Sequence, residues 1–304
     1  MKPAFLIMGP TASGKSALAL ALAERIDGEI VNADSMQVYR DFRVLTARPL
    51  PEEEARAPHC LYGHVDAAEH YSTGRWLAEA LAVIEDIRGR GRTPILVGGT
   101  GLYFKALTQG LAEMPSIDPD LRASLNARAA KEGAPALHAE LARLDPETAA
   151  RLEPNDAPRI IRALEVMETT GESIAAFQAN TKPALAPEGW RGLALVPDRE
   201  ALYAAINARF ETMIEQGALK EVRTFVARGL DSTLPATKAH GAPALGAHLR
   251  GELTLAQAIE IGQRDTRRYA KRQFTWIANQ MPDWVRVNQT SLEARVAAAE
   301  SLLR

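Results

Sequence analysis

A single cysteine, Cys60, stands among 304 residues, so an internal disulfide is excluded and a reducing compartment is compatible with the chain. No stretch offers the ~18 uninterrupted apolar residues that a membrane span needs. The Leu-Ala repeats near the N-terminus are broken by Gly9-Pro10 and Lys15, unlike a secretory signal, and a cytoplasmic protein is expected. Charge of one sign is not in excess: 36 Lys and Arg face 38 Asp and Glu, a formal net charge of -2. Any nucleic-acid partner must therefore be held by local patches. His59, Cys60, His64 and His70 match no compact zinc spacing. There is no Asn-Lys-x-Asp segment for guanine, no internal repeat and no low-complexity tract.

What is present begins at Phe5-Leu6-Ile7-Met8, a short apolar strand that runs into Gly9-Pro10-Thr11-Ala12-Ser13-Gly14-Lys15-Ser16. This is a complete G-x-x-x-x-G-K-[ST] phosphate loop. Gly9 and Gly14 let the backbone turn its N–H groups inward, Lys15 reaches phosphate oxygens, and the Ser16 hydroxyl is placed to hold Mg²⁺. The alanine- and leucine-rich run from Ala17 to Ala23 predicts a helix whose positive end faces the anion. A di- or triphosphate is the expected ligand, but the loop does not choose a reaction. A small-molecule or nucleoside kinase using ATP is the main alternative.

Gly28 to Ser35 predicts a turn and a strand that releases Asp34 at its carboxyl end, where ligands bind in open parallel sheets. A helix or turn cap explains Asp34 equally well. Residues 49 to 72, with Pro49, Pro51 and Pro58, predict loops and at most short helices. Ser72 to Arg90 carries Trp76, Ala80, Ile84 and Ile87 at helical intervals, and Ile95-Leu96-Val97 follows as a buried strand. That strand ends in Gly98-Gly99-Thr100-Gly101, where many NTPases place an aspartate. The glycines suit either close approach to a substrate or a tight turn.

From about Met114 the chain becomes helical and proline-punctuated, lacking strands that would continue a sheet. The expected organisation is an α/β core with a parallel sheet flanked by helices (1–113 and 190–304), interrupted by an all-helical insertion (114–189). Within the insertion, Asn155-Asp156 predicts the start of a helix that ends at Gly171. Arg159 and Arg162 share one face of it, suited to phosphates or to a solvated pair offset by Glu165. Arg264, Arg267, Arg268, Lys271 and Arg272 form a basic stripe that reads as a solvated helix face or as a phosphate contact. The tail from Leu292 to Arg304 is helix-like and suggests no function.

Taken together, the phosphate loop, Asn32-Ala33-Asp34-Ser35-Met36-Gln37-Val38-Tyr39, Gly98-Gly99-Thr100-Gly101-Leu102-Tyr103, Arg162-Ala163-Leu164-Glu165-Val166 and Arg267-Arg268-Tyr269-Ala270-Lys271-Arg272-Gln273 resemble the bacterial tRNA dimethylallyltransferase family. The resemblance spans roughly Phe5 to Trp276. It implies transfer of a dimethylallyl group from dimethylallyl diphosphate to N6 of adenosine 37 in the tRNA anticodon stem-loop, by a P-loop core with Mg²⁺ as cofactor and a helical tRNA-binding insertion. By the same resemblance Asp34 is the general base, Thr100 orients the amine, and Arg209 joins Lys15 in clamping the diphosphate. Ser35, Met36 and Gln37 would contact a flipped base, and Arg122 with Pro158, Arg159, Ile160, Ile161 and Arg162 would hold the surrounding RNA. A monomer is expected. The chain departs from the family pattern at Leu45-Thr46-Ala47-Arg48-Pro49, where a Gly-Thr-Ala-Lys-Pro segment is usual, and at His240-Gly241-Ala242-Pro243, where a Gly-Tyr pair is frequent.

Overall fold

The computed structural model describes residues 2–179 and 181–303, so Arg304 of the tail lies outside the described residues. The chain divides into two compact units, Met1–Thr108 with Ala184–Arg304, and Gln109–Pro183. The expected insertion, 114–189, starts and ends a few residues late. The Leu185 N–H donates to Leu107 O at 2.9 Å, so the chain leaves and re-enters the first unit at one point. The change of composition after Met114 follows that crossing and does not mark it.

The first unit begins with β1 (Ala4–Met8), α1 (Lys15–Ile26), β2 (Gly28–Asn32), α2 (Pro51–Glu54), β3 (His59–Cys60), α3 (Thr73–Gly89), β4 (Thr93–Gly98) and α4 (Gly101–Thr108). The second unit holds α5 (Pro119–Glu132), α6 (Ala134–Leu144), α7 (Pro146–Ala149), α8 (Ala157–Thr170) and α9 (Ile174–Ala179). The first unit resumes with β5 (Trp190–Leu195), α10 (Arg199–Glu215), α11 (Ala218–Val226), α12 (Ala242–Leu249), α13 (Leu255–Gln280), β6 (Val285–Val287) and α14 (Leu292–Ser301).

The six strands form one sheet in the order β3-β2-β4-β1-β5-β6, every neighbouring pair parallel. Both faces are covered, which is why the strands read as continuous apolar runs and not as alternating ones. Along β1, Ala4, Leu6 and Met8 point into a core shared with Trp76, Phe104 and Ile277. Phe5 and Ile7 point the other way, against Leu18 and Leu22 of α1 and Val296 of α14. The protein is thus an α/β fold with a helix-flanked parallel sheet and an additional helical unit. Among the described residues, no helix is long and apolar enough to cross a membrane.

Two packing features fix the carboxyl end of the sheet. Trp76, fully buried, stacks on Tyr103 with ring centroids 4.0 Å apart and donates its indole N–H to Asn32 O at 2.8 Å. That pair adds about 0.5–1.5 kcal/mol beyond burial and anchors the end of β2, next to Asp34. In the second unit, Leu125, Leu137, Leu141, Ile160, Ile161 and Leu164 make a separate small core. Helix α8 ends where expected, with Gly171 in the left-handed region at φ 73 donating its N–H back to Met167 O.

Candidate active site

The loop from Gly9 to Ser16 leaves the carboxyl end of β1, which lies between β4 and β5 in the middle of the sheet. Helices α1 and α14 cover one face there and α3 and α4 the other, so the loop sits at the crevice such sheets offer to ligands. Ala12 and Gly14 take left-handed conformations, φ 64 and φ 83, while the Ser13 N–H is engaged by Pro10 O within the loop. Gly9 is required by space: a Cβ there would lie 2.6 Å from Ser13 Oγ. That Ser13 hydroxyl is buried without a hydrogen-bond partner. The Lys15 ammonium reaches back to Pro10 O at 3.4 Å. Burial pulls its pKa down to about 8, with the nearby Asp34 carboxylate opposing and Arg209 assisting.

Two residues far along the chain hold this loop, and neither role is visible in local sequence. Gln273 of α13 is 3% exposed; its Oε1 accepts the Thr11 N–H at 2.9 Å and its Nε2 donates to Gly99 O at 2.9 Å. Arg295 of α14 donates Nη1 to Ser13 O at 2.8 Å and Nε to Gln289 O at 2.7 Å. The tail read as uninformative therefore braces the loop. Replacing Gln273 by Ala leaves the part-buried Thr11 N–H without its partner and the Gly99 carbonyl with only the longer Tyr269 hydroxyl bond at 3.4 Å, a loss of about 1–3 kcal/mol in all. Thermal denaturation of Gln273→Ala should show a Tm several degrees below wild type; an unchanged Tm would mean that water restores both bonds.

The glycines at the end of β4 make the tight turn into α4, which begins at Gly101, and they are also demanded by the protein's own packing. A Cβ on Gly98 would lie 1.9 Å from Ala33 O, one on Gly99 2.1 Å from Gln273 Nε2, and one on Gly101 2.1 Å from Trp276 Nε1. They admit the protein's own backbone and side chains. Close packing there brings the two strand exits together: the Ser35 N–H donates to Thr100 Oγ1 at 2.9 Å, and the Thr100 N–H to Ala33 O at 3.2 Å.

Asp34 combines both of its sequence readings. Its Oδ1 accepts the Met36 N–H at 2.9 Å, and its own N–H donates to Asn32 Oδ1 at 2.8 Å, so it caps a turn. Together with Thr11, Met36, Arg209, His240 and Tyr269 it also lines a cavity of about 60 Å³. Burial, then the neighbouring Arg272, hold His240 below the usual histidine range, with Asp34 opposing. Burial, foremost, and then the Asp34 charge raise the Tyr269 phenol. A wider cleft of about 430 Å³ adjoins, lined by Lys15, Ser16, Arg43 and Arg48. Arg209 lines both spaces, donates to Thr11 Oγ1, and is pulled below its ordinary pKa by burial. One end of the site is thus cationic and the other carries a carboxylate beside apolar walls.

Gln37 also holds its own neighbourhood. Its Nε2 donates to Thr46 O at 2.8 Å and Ala47 O at 3.0 Å, fixing the loop around Leu45 and leaving no free amide donor for a base. Glu221 of α11 holds the same loop, its carboxylate accepting the N–H groups of Arg43, Val44 and Leu45 at 2.9, 2.8 and 3.0 Å.

A family model described as IPP transferase matches residues 37–280, and one described as isopentenyl transferase matches residues 2–59. The chain belongs to the IPP transferase family. A tRNA dimethylallyltransferase of Nitrobacter hamburgensis is 56% identical over 295 residues, covering 97% of this chain and 93% of its own. One from Rhodopseudomonas palustris strain BisB18 is 58% identical over 285 residues, covering 93% and 90%. Among solved structures, the full-length tRNA isopentenylpyrophosphate transferase of Bacillus halodurans aligns with TM-score 0.70 and 34% identity over 99% of this chain and 95% of that one. A eukaryotic dimethylallyltransferase acting on tRNA aligns with TM-score 0.81 and 29% identity, over 96% and 75%.

In the helical unit of this IPP transferase, Arg122 and Arg162 converge on buried Glu165: Arg122 Nε reaches Oε1 at 2.7 Å and Arg162 Nη1 reaches Oε2 at 2.9 Å. Arg159 pairs with Asp156 at 2.9 Å, with 71% of its side chain exposed. Pro158 is exposed at the start of α8. Ile160 and Ile161 are buried in the unit's core, because α8 turns its apolar stripe inward. The basic stripe on α13 also divides: Arg267 turns to Asn207 Oδ1, Arg272 lies 5.5 Å from the Tyr269 ring centroid, and Arg264 and Arg268 both approach Asp265.

Proposed function

We infer that this IPP transferase moves a dimethylallyl group from dimethylallyl diphosphate to N6 of adenosine 37 in tRNA, releasing diphosphate. The observation that carries the reading is Arg209, which joins the cationic cleft at the Gly9–Ser16 phosphate loop to the cavity holding Asp34. A diphosphate seated on the loop N–H groups, Lys15 and Arg209 directs its allylic carbon into that cavity. Family membership at 52–58% identity to tRNA dimethylallyltransferases supports the same chemistry.

The bond between the allylic carbon and the bridging oxygen breaks as the bond from that carbon to N6 forms. Asp34 takes the N6 proton as general base, and Thr100 orients the amine. Negative charge grows on the departing diphosphate, where Lys15, Arg209 and the loop N–H groups are already in place. Among the described residues no group of three or more His, Cys, Asp or Glu is arranged to hold a metal. The Ser16 hydroxyl, exposed at the first turn of α1 and without a side-chain bond, fits a Mg²⁺ whose other ligands are phosphate oxygens and water. When bound, Mg²⁺ neutralises charge on the leaving diphosphate. The adenine must leave its stack to reach Asp34, with Ser35 and Met36 beside it. Arg122, Pro158, Arg159 and Arg162 would hold the RNA chiefly through phosphate and shape.

The test mixes the protein, Mg²⁺, dimethylallyl diphosphate and unmodified tRNA, then weighs the nucleosides of the digested RNA, with ATP in a parallel reaction. An adenosine heavier by one dimethylallyl group is expected. ATP consumption without that product would favour a kinase.

A further inference from the structure

The apolar side of the cavity beside Asp34 is made by Met36, Leu45, Ile206, Phe210 and Met213. Phe210 is 4% exposed, and its ring has nowhere to retreat. Gly241, at φ +92, and Gly262 clamp it: a Cβ on Gly241 would lie 2.8 Å from Phe210 Cε2, and one on Gly262 2.2 Å from Cζ. Leu45, 6% exposed, stands where the family segment has glycine, and its Cδ1 lies 3.2 Å from that same Gly241 position. Its backbone is held in turn by the Glu221 carboxylate at 3.0 Å. The wall is therefore bulky, close-packed and fixed at both of its main residues.

We propose that Phe210, clamped by Gly241 and Gly262 and backed by Leu45, is the specificity-determining residue that limits the allyl donor to five carbons. The inference rests on the prenyl-transfer reading above and names what that site excludes. Geranyl diphosphate has the same diphosphate and the same allylic carbon–oxygen bond, so the phosphate loop, Lys15, Arg209 and Asp34 treat the two donors alike. An open apolar groove would favour the longer chain, because each added carbon buries more apolar surface. Selection for the shorter donor has to come from a wall, and a clamped aromatic ring yields less than a mobile side chain.

The experiment presents wild type, Phe210→Leu, Phe210→Ala and Leu45→Ala with tRNA and either dimethylallyl or geranyl diphosphate, and quantifies both modified adenosines by mass spectrometry. Wild type should give the dimethylallyl product alone. The variants should raise the ratio of geranyl to dimethylallyl product by roughly tenfold or more, a discrimination reachable by pocket size. Gly262→Ala tests the opposite direction: its methyl pushes the ring into the cavity, and kcat/KM for dimethylallyl diphosphate should fall. Phe210→Leu and Leu45→Ala keep an apolar filler, and residual dimethylallyl transfer reports that each is folded. Variants that transfer dimethylallyl but never geranyl groups, or a wild type that uses both donors equally, would overturn the inference alone. No dimethylallyl transfer by wild type would bring down the functional reading and this inference with it.

Discussion

Asp34→Ala is expected to slow the single-turnover transfer to adenine by about 10²–10⁴-fold, the usual contribution of a positioned general base, while tRNA binding persists. The exocyclic amine is a weak nucleophile and must lose a proton as it attacks. Asp34 is the carboxylate that lines the cavity with Arg209 and Thr11. Because its Oδ1 also accepts the Met36 N–H at 2.9 Å, the alanine variant loses a turn cap together with the base. Asp34→Asn separates the two, since its amide oxygen still accepts that N–H but cannot take up the proton. An asparagine variant as slow as the alanine variant assigns the loss to proton transfer. Near-normal single-turnover rates in Asp34→Asn would remove Asp34 from that role.

Lys15→Met should weaken dimethylallyl diphosphate binding by about 10- to 150-fold, the range of a hydrogen bond to a charged group of 1.5–3 kcal/mol. The wild-type affinity should also depend on pH in a defined direction. Burial has lowered the Lys15 ammonium to about 8, so the unliganded site is charged below that pH and progressively neutral above it. An anion stabilises the protonated form, so binding above pH 8 requires proton uptake and weakens as pH rises. Calorimetry without tRNA, in two buffers of different ionisation enthalpy, reads both the affinity and the proton. The pH dependence should vanish in Lys15→Met. A wild-type affinity that is flat from pH 7 to 9 would show that Lys15 stays charged or makes no contact.

Much of the architecture was legible because it is written locally. The phosphate-loop motif needs only consecutive residues, and the strands that flank it are apolar on both faces. The helix from Thr73 to Gly89 announces itself by period, and the structure adds a Ser72 cap whose side chain accepts the Arg75 N–H. The edge strands β3 and β6, two and three residues long, are too short to carry a periodic signal. Gln273 and Arg295 act on the loop across 262 and 282 residues of sequence, a distance over which no spacing rule operates. Gln37 shows the same point at shorter range: nothing in its local sequence says that its Nε2 donates to both Thr46 O and Ala47 O. The glycines of Gly98-Gly99 were visible as a demand for space, but what fills that space is another part of the same chain.

The contact between Arg295 and Ser13 bears on how the protein comes into being. The loop is synthesised 282 residues before the guanidinium that braces it. Strand β1 likewise lies between β4 and β5, and β5 follows the entire helical unit in synthesis. A nascent chain therefore carries the Gly9–Ser16 segment long before the contacts that fix it exist. Such non-local closure is intrinsically slow, and the brace cannot form before α14 has been made. A prematurely terminated chain that stops short of α14 would lack the brace, so truncation far from the loop would still be felt at the loop.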